Sequence, residues 1–192
     1  MIIKGKKKMN ILPITVYGDK ILRKKAVKVN NADNEVLMLV KDLFETMRNA
    51  NGVGIAANQV GSNKSIFVID ISMVEGYEKI KPIAFINPKI VYRSSETVIM
   101  EEGCLSIPLL KADVERPEFI KIVYNDTNLK EQTLEADDFL ARVIQHEYDH
   151  LKGILFTDKV DDVVKKQIKE ELIRIKNRNI DIDYPITKLK AK

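Results

Sequence analysis

Apolar residues recur along this chain with two different periods, and the switches between them divide the sequence into elements. From Asn34 to Asn49 they fall at Val36, Leu37, Leu39, Val40, Leu43, Phe44 and Met47, a helical stripe that Ala50-Asn51-Gly52 brings to an end. Between Ser65 and Asn125 the runs are short and β-branched or aromatic. They cover Ser65 to Ile71, Ile83 to Asn87, Lys89 to Arg93 and Phe119 to Tyr124, separated by Gly, Pro, Asn and Ser. Helical spacing returns over Asp137 to Lys152, with acidic residues at the start and Gly153 just past the end, and again over a charged amphipathic stretch from Asp161 to Asn177. The pattern predicts an α+β fold: mixed, mainly antiparallel β-sheets packed around a central helix, followed by a C-terminal helix.

The central helix carries His146-Glu147-Tyr148-Asp149-His150, the H-E-x-x-H spacing. Four residues apart on a helix, two imidazoles share one face and can hold one divalent metal beside a carboxylate able to move protons. At about 100° per residue, His146, Phe139, His150, Val143, Glu147, Leu140, Leu151 and Ile144 follow one another round an arc of roughly 160°. The metal-binding face is therefore also the buried face. Arg142, Gln145, Asp149 and Lys152 fall opposite, on a strip expected to meet solvent. Burial raises the pKa of Glu147, whereas a bound cation lowers it.

Composition narrows the chemistry. The chain has two histidines and one cysteine, so Cys104, in Glu101-Glu102-Gly103-Cys104-Leu105-Ser106, is the remaining soft ligand. A His2Cys set leaves the fourth tetrahedral position open to water, as a hydrolytic site requires. One cysteine forms no internal disulfide, and a reactive thiolate suits a reducing cytoplasm, the expected location. No apolar run is long enough to span a bilayer. The 192 residues suit one domain, here 10–178, flanked by a disordered basic tail or upstream extension at 1–9 and a C-terminal tail at 179–192. Met9 is an alternative start, and without the four lysines before it the net charge of +4 falls to about neutral, so charge gives no support to nucleic-acid binding.

Three separated motifs closely resemble those of the peptide deformylases, metallohydrolases that remove the N-formyl group from nascent polypeptides. They are Gly52-Val53-Gly54-Ile55-Ala56-Ala57-Asn58-Gln59, Glu102-Gly103-Cys104-Leu105-Ser106, and Gln145 to Gly153; the resemblance runs from about Ile11 to about Asp158. It implies Cys104, His146 and His150 as metal ligands and Glu147 as general acid/base, with metal-bound hydroxide attacking the formyl carbon and formate released. It also implies that the Gln59 side-chain amide and the Leu105 backbone N–H stabilise the oxyanion, and that Gly54 pairs with the peptide backbone. Val53, Met100, Phe139 and Val143 are implied to line the methionine pocket; core packing accounts for each of them equally well. Geometry alone would name zinc, whereas the resemblance implies Fe(II), with Zn(II), Ni(II) or Co(II) able to substitute. Lys111 departs from the family pattern, standing where many relatives have an arginine. For Glu102 two readings stand side by side: a pair with Arg116 that supports the cysteine segment, or a routine surface ion pair.

The implied partners are nascent N-formylmethionyl polypeptides, with no membrane and no specific nucleic-acid sequence, and the chain is expected to be a monomer. The resemblance also implies transient ribosome contact through the C-terminal helix, which carries Lys165, Lys166, Lys169, Arg174, Lys176 and Arg178, against the plainer reading of a solvated helix and tail. Two other functions compete. A zinc peptidase would take Glu170 as third ligand, but Glu170 lies off the Val164, Ile168, Leu172, Ile175 stripe. A binding module with a structural metal would close all four coordination positions with protein ligands.

Overall fold

The computed structural model describes residues 10–189. The basic tail expected at 1–9 lies outside the described residues. A five-stranded antiparallel sheet contains β1 (Gly54–Ala56), β2 (Ile66–Ile69), β3 (Ile83–Arg93), β6 (Ile120–Asn125) and β7 (Glu131–Ala136), in the order β1-β2-β3-β6-β7. A separate hairpin pairs β4 (Thr97–Cys104) with β5 (Ile107–Pro117). The helices are α1 (Asn34–Asn49), α2 (Asp138–Leu151), α3 (Asp162–Gln167) and α4 (Lys169–Lys176).

The unbroken apolar run of β2 reflects burial on both faces. Ile66 and Val68 join α1 residues Val36, Val40, Leu43 and Met47, while Phe67 and Ile69 join α2 residues Leu140, Ala141, Val143 and Ile144. The sheet is thus a middle layer between the two helices. Helix α1 starts where the Asp33 carboxylate accepts from Val36 N–H at 2.9 Å. Helix α2 stops at Gly153, whose φ of 74° is left-handed. A Cβ there would also lie 2.6 Å from the Arg23 carbonyl oxygen.

Several elements differ from the sequence reading. The runs 83–87 and 89–93 form one strand bent at Asn87, whose side chain bonds both the N–H and the C=O of Val29 at 2.8 Å. Strands β4, β5 and β7 were not evident in the sequence because one face of each is open and carries polar residues. The Asp161–Asn177 helix is two short helices meeting at Ile168. Ile175 is buried, Val164, Ile168 and Leu172 pack beside it, and Glu170 is exposed, as its wheel position predicts.

Two corrections concern the site more closely. Arg142, Gln145 and Asp149 do not face solvent; they are buried, so α2 is covered on almost every side. Residues 179–189, expected as part of a tail, are docked on the domain. Ile14 N–H donates to Pro185 O at 2.8 Å, Thr187 N–H donates to Ile14 O at 2.9 Å, and Arg178 donates to Asp19 at 2.6 Å.

Candidate metal centre and active site

Helix α2 supplies His146, Glu147 and His150, and the inner end of β4 brings Cys104 against them. One donor atom from each of Cys104, His146 and His150 lies within 4.8 Å of the others, the one such cluster among the described residues. His150 Nε2 is 3.2 Å from Cys104 Sγ. His146 Nδ1 is 2.8 Å from Glu102 Oε2, which leaves Nε2 as the nitrogen free to bind a cation. A thiol and two imidazoles converging in this way match the donor set of a divalent metal.

The two imidazoles are shifted in opposite directions. Burial pushes His146 toward its neutral form, but the Cys104 and Glu102 side chains outweigh it and draw the pKa well above the ordinary histidine value. His150 is held well below that value, chiefly by burial and then by the charge of His146, so its ring is neutral and fit to be a ligand.

Behind the ligands lies a buried ion cluster. Arg116 reaches both oxygens of Glu102, with Nε–Oε1 at 2.5 Å and the second bond at 2.9 Å, and touches Asp149 Oδ2 at 2.5 Å. Arg142 donates to Glu102 Oε1 at 2.7 Å, to Val114 O at 2.7 Å and to Val98 O at 2.6 Å. Burial alone would raise the Glu102 pKa. The hydrogen bonds from Arg116 and His146 overcome it and hold this carboxyl well below the usual carboxylate range. The Glu102–Arg116 pair is therefore buried inside the β4–β5 hairpin, which rules out a surface ion pair, and its further bonds to Arg142, His146 and Asp149 tie the hairpin to α2.

Glu147 has the opposite environment. Its Oε2 is buried without a hydrogen-bond partner, and burial pushes its pKa up to about 7, against the lowering effect of His146. The close approach of β1 depends on glycine: a Cβ on Gly54 would stand 2.6 Å from Glu147 Oε1. Gln59 accepts from Ala56 N–H at 2.7 Å through Oε1. Its Nε2 is thereby turned toward Ser106 Oγ at 3.2 Å and Cys104 Sγ at 3.6 Å.

A cavity of about 770 Å³ opens over these groups. Val53, Gly54, Gln59, Leu105, Phe139 and Val143 all line it, together with Cys104, His146 and Glu147. Met100 does not; it pairs with Val114 in the β4–β5 hairpin, outside the cavity lining. Lys111 stands at the wall, paired with Glu101 at 2.8 Å. Arg142, Asp149 and the lining residues Asp181 to Tyr184 were missed from the sequence. The seven-residue spacing of Arg142 and Asp149 on one helix face offered a signal, whereas residues 181–184 offered none.

With this geometry in place, the similarity to known proteins is decisive. The sequence model of the polypeptide deformylase family matches residues 11–166. The chain belongs to this family. It is 44% identical over 178 residues to a peptide deformylase of Chlorobium phaeovibrioides, covering 93% of each chain. It is 46% identical over 176 residues to one of Cytophaga hutchinsonii, covering 91% of this chain and 95% of that one. The fold is similar to the peptide deformylase of Thermus thermophilus, with a TM-score of 0.80 at 36% identity, covering 88% of this chain and 99% of that chain. It is also similar to a Synechococcus elongatus peptide deformylase solved in complex with actinonin, with a TM-score of 0.77 at 39% identity, covering 88% and 91%. The deformylase family is metal-dependent and acts on nascent formylated polypeptides. No helix among the described residues is long and apolar enough to cross a membrane.

Proposed function

We propose that this chain releases formate from N-formylmethionyl peptides, with Cys104, His146 and His150 holding one divalent metal. Fe(II) is the metal in the cell on the strength of the family resemblance, and Zn(II), Ni(II) or Co(II) can stand in for it. The observation that carries the reading is the donor triplet beside an unpartnered, buried Glu147 at the wall of one cavity. The bound metal would supply Lewis acidity and a lowered pKa for water.

The protein's own groups do the rest. Glu147, buried at the cavity wall without a hydrogen-bond partner for Oε2 among the described residues, takes a proton from the attacking water and returns it to the leaving amine. Gln59 Nε2, held in orientation by Ala56 N–H, and the Leu105 N–H donate to the oxygen that gains charge. Val53, Phe139 and Val143 give the cavity an apolar wall suited to a methionine side chain, and Gly54 lets main chain come close. Exposed Lys165, Lys166 and Lys169 supply transient ribosome contact, which co-sedimentation lost at raised salt would detect.

The test is formate release from a short N-formylmethionyl peptide by protein purified without oxygen and loaded separately with Fe(II), Ni(II) or Zn(II). Turnover that vanishes in Glu147→Ala while the metal stays bound is the expected result. Stoichiometric metal with no turnover in any form overturns the proposal.

A further inference from the structure

The docked segment 178–187 makes a contact at the heart of the site. Tyr184 Oη donates to the carbonyl oxygen of Leu105 at 2.8 Å, across 79 positions of sequence. Leu105 and Ser106 form the two-residue turn between β4 and β5, directly after Cys104, and the ladder register shifts there. Each carbonyl of this turn is held by a distant segment: Leu105 O by Tyr184, and Ser106 O by Tyr17 N–H at 2.8 Å. The Leu105 side chain also packs closely over Gly52, where a Cβ would approach its Cδ1 to 2.8 Å.

We propose that Tyr184 is a positioning residue, which sets the Leu105 backbone so that its N–H meets the developing oxyanion. The inference rests on the reading of Leu105 given above. The Leu105 N–H and C=O belong to adjacent peptide planes that share its φ and ψ. Clamping the carbonyl and packing the side chain therefore leaves the N–H plane little freedom. An oxyanion donor accelerates a reaction only insofar as it is already aimed, because reorientation in the transition state costs what the bond gains. A two-residue turn in a solvent-accessible cavity has no ladder bonds of its own to supply that rigidity.

The segment is built to hold Tyr184 in place. Ile14 pairs with Ile186, Arg178 donates to Asp19 at 2.6 Å, and Thr187 Oγ1 donates to the same carboxylate at 2.7 Å. Asp181, Ile182, Asp183 and Tyr184 all line the cavity. The segment lies beyond the residues 11–166 matched by the family model, so this support belongs to a part of the chain outside the shared motifs.

The experiment uses the full chain with Tyr184→Phe, which removes one hydroxyl and keeps the ring. Two quantities are read: amide exchange at Leu105 in 15N-labelled, Zn(II)-loaded protein, and kcat and KM on an N-formylmethionyl peptide at equal metal content. One lost hydrogen bond corresponds to roughly a two- to tenfold fall in kcat, with KM and metal stoichiometry unchanged and Leu105 exchange several-fold faster. Unchanged Leu105 exchange overturns the proposal, as does a loss of activity that follows metal loss or appears in KM alone. Absence of turnover in the unmodified protein would instead sink the deformylase reading and leave the exchange result to judge Tyr184 by itself.

Discussion

Two polar regions share helix α2, one turned toward the hairpin and one toward the cavity, and they are satisfied to opposite degrees. On the hairpin side, Glu102, Arg116, Arg142, Asp149 and His146 pair with one another, and the arginines also reach backbone carbonyls. On the cavity side, Glu147 Oε2 has no hydrogen-bond partner among the described residues. Beyond the cavity lining, His150 Nδ1 and Asn58 Oδ1 are likewise unpaired among those residues, although the Asn58 amide donates to the His150 carbonyl. A fully paired buried network holds elements in register. Unpaired buried groups cost free energy that folding alone does not recover, and they mark where a ligand or reactant supplies the missing contact.

Removing Glu147 should break the comparison most sharply. Glu147→Ala is expected to lower kcat by roughly 10²–10⁴, while urea unfolding shows stability kept or increased because an unpartnered buried carboxylate is gone. A matching loss of stability would mean that Glu147 belongs to the scaffold. Glu102→Ala should do the reverse, destabilising the fold by about 3–5 kcal/mol because buried Arg142 loses its carboxylate partner and buried Arg116 loses one of two. Its depressed pKa gives this contribution a sign: it is present above about pH 4.5 and is lost as pH falls toward the folded-state value. Acid unfolding of the variant should be less steep than that of the parent, and parallel curves would refute the assignment.

A subtler perturbation is Gly54→Ala. The added methyl meets Glu147 Oε1 at 2.6 Å and Cγ at 2.9 Å, so overpacking of about 1–3 kcal/mol is expected. Activity should fall with it, whereas unchanged kinetics would show that the carboxylate has room to move. The smallest effect belongs to Arg23→Ala. Arg23 and Asp158 are exposed at the surface, and their pair should contribute under about 1 kcal/mol and fade with salt. A thermal shift of the size seen for Glu102→Ala would erase the distinction between buried and exposed ion pairs.

Much of the site was legible in local spacing. His146, Glu147 and His150 are fixed relative to one another by one helical turn, and the apolar arc around them predicted their burial correctly. What that wheel misjudged was the other face: Arg142 and Asp149 read as solvent-facing because charge on a helix usually is, and the hairpin that covers them presents Glu102 and Arg116 from residues far away in sequence. Of the motif glycines at 52 and 54, the sequence reading gave a role only to Gly54, as a partner for the peptide backbone. Their tighter constraint is room for Leu105 and Glu147.

By itself, then, the sequence determined the elements with clear periodicity, the candidate donor residues and the family to which the motifs belong. Those features are local: a helix sets angles every turn, and a ligand's chemistry travels with its residue type. The tertiary structure alone decided which charges are paired in the dark, that Met100 stays out of the cavity, and that Tyr184 returns to the turn after Cys104. Such contacts join segments separated by tens of residues, and no local period encodes them. They follow from the closure of the whole chain around a core that holds Phe67 and Phe85 on one side of the sheet and Leu43 and Met47 on the other.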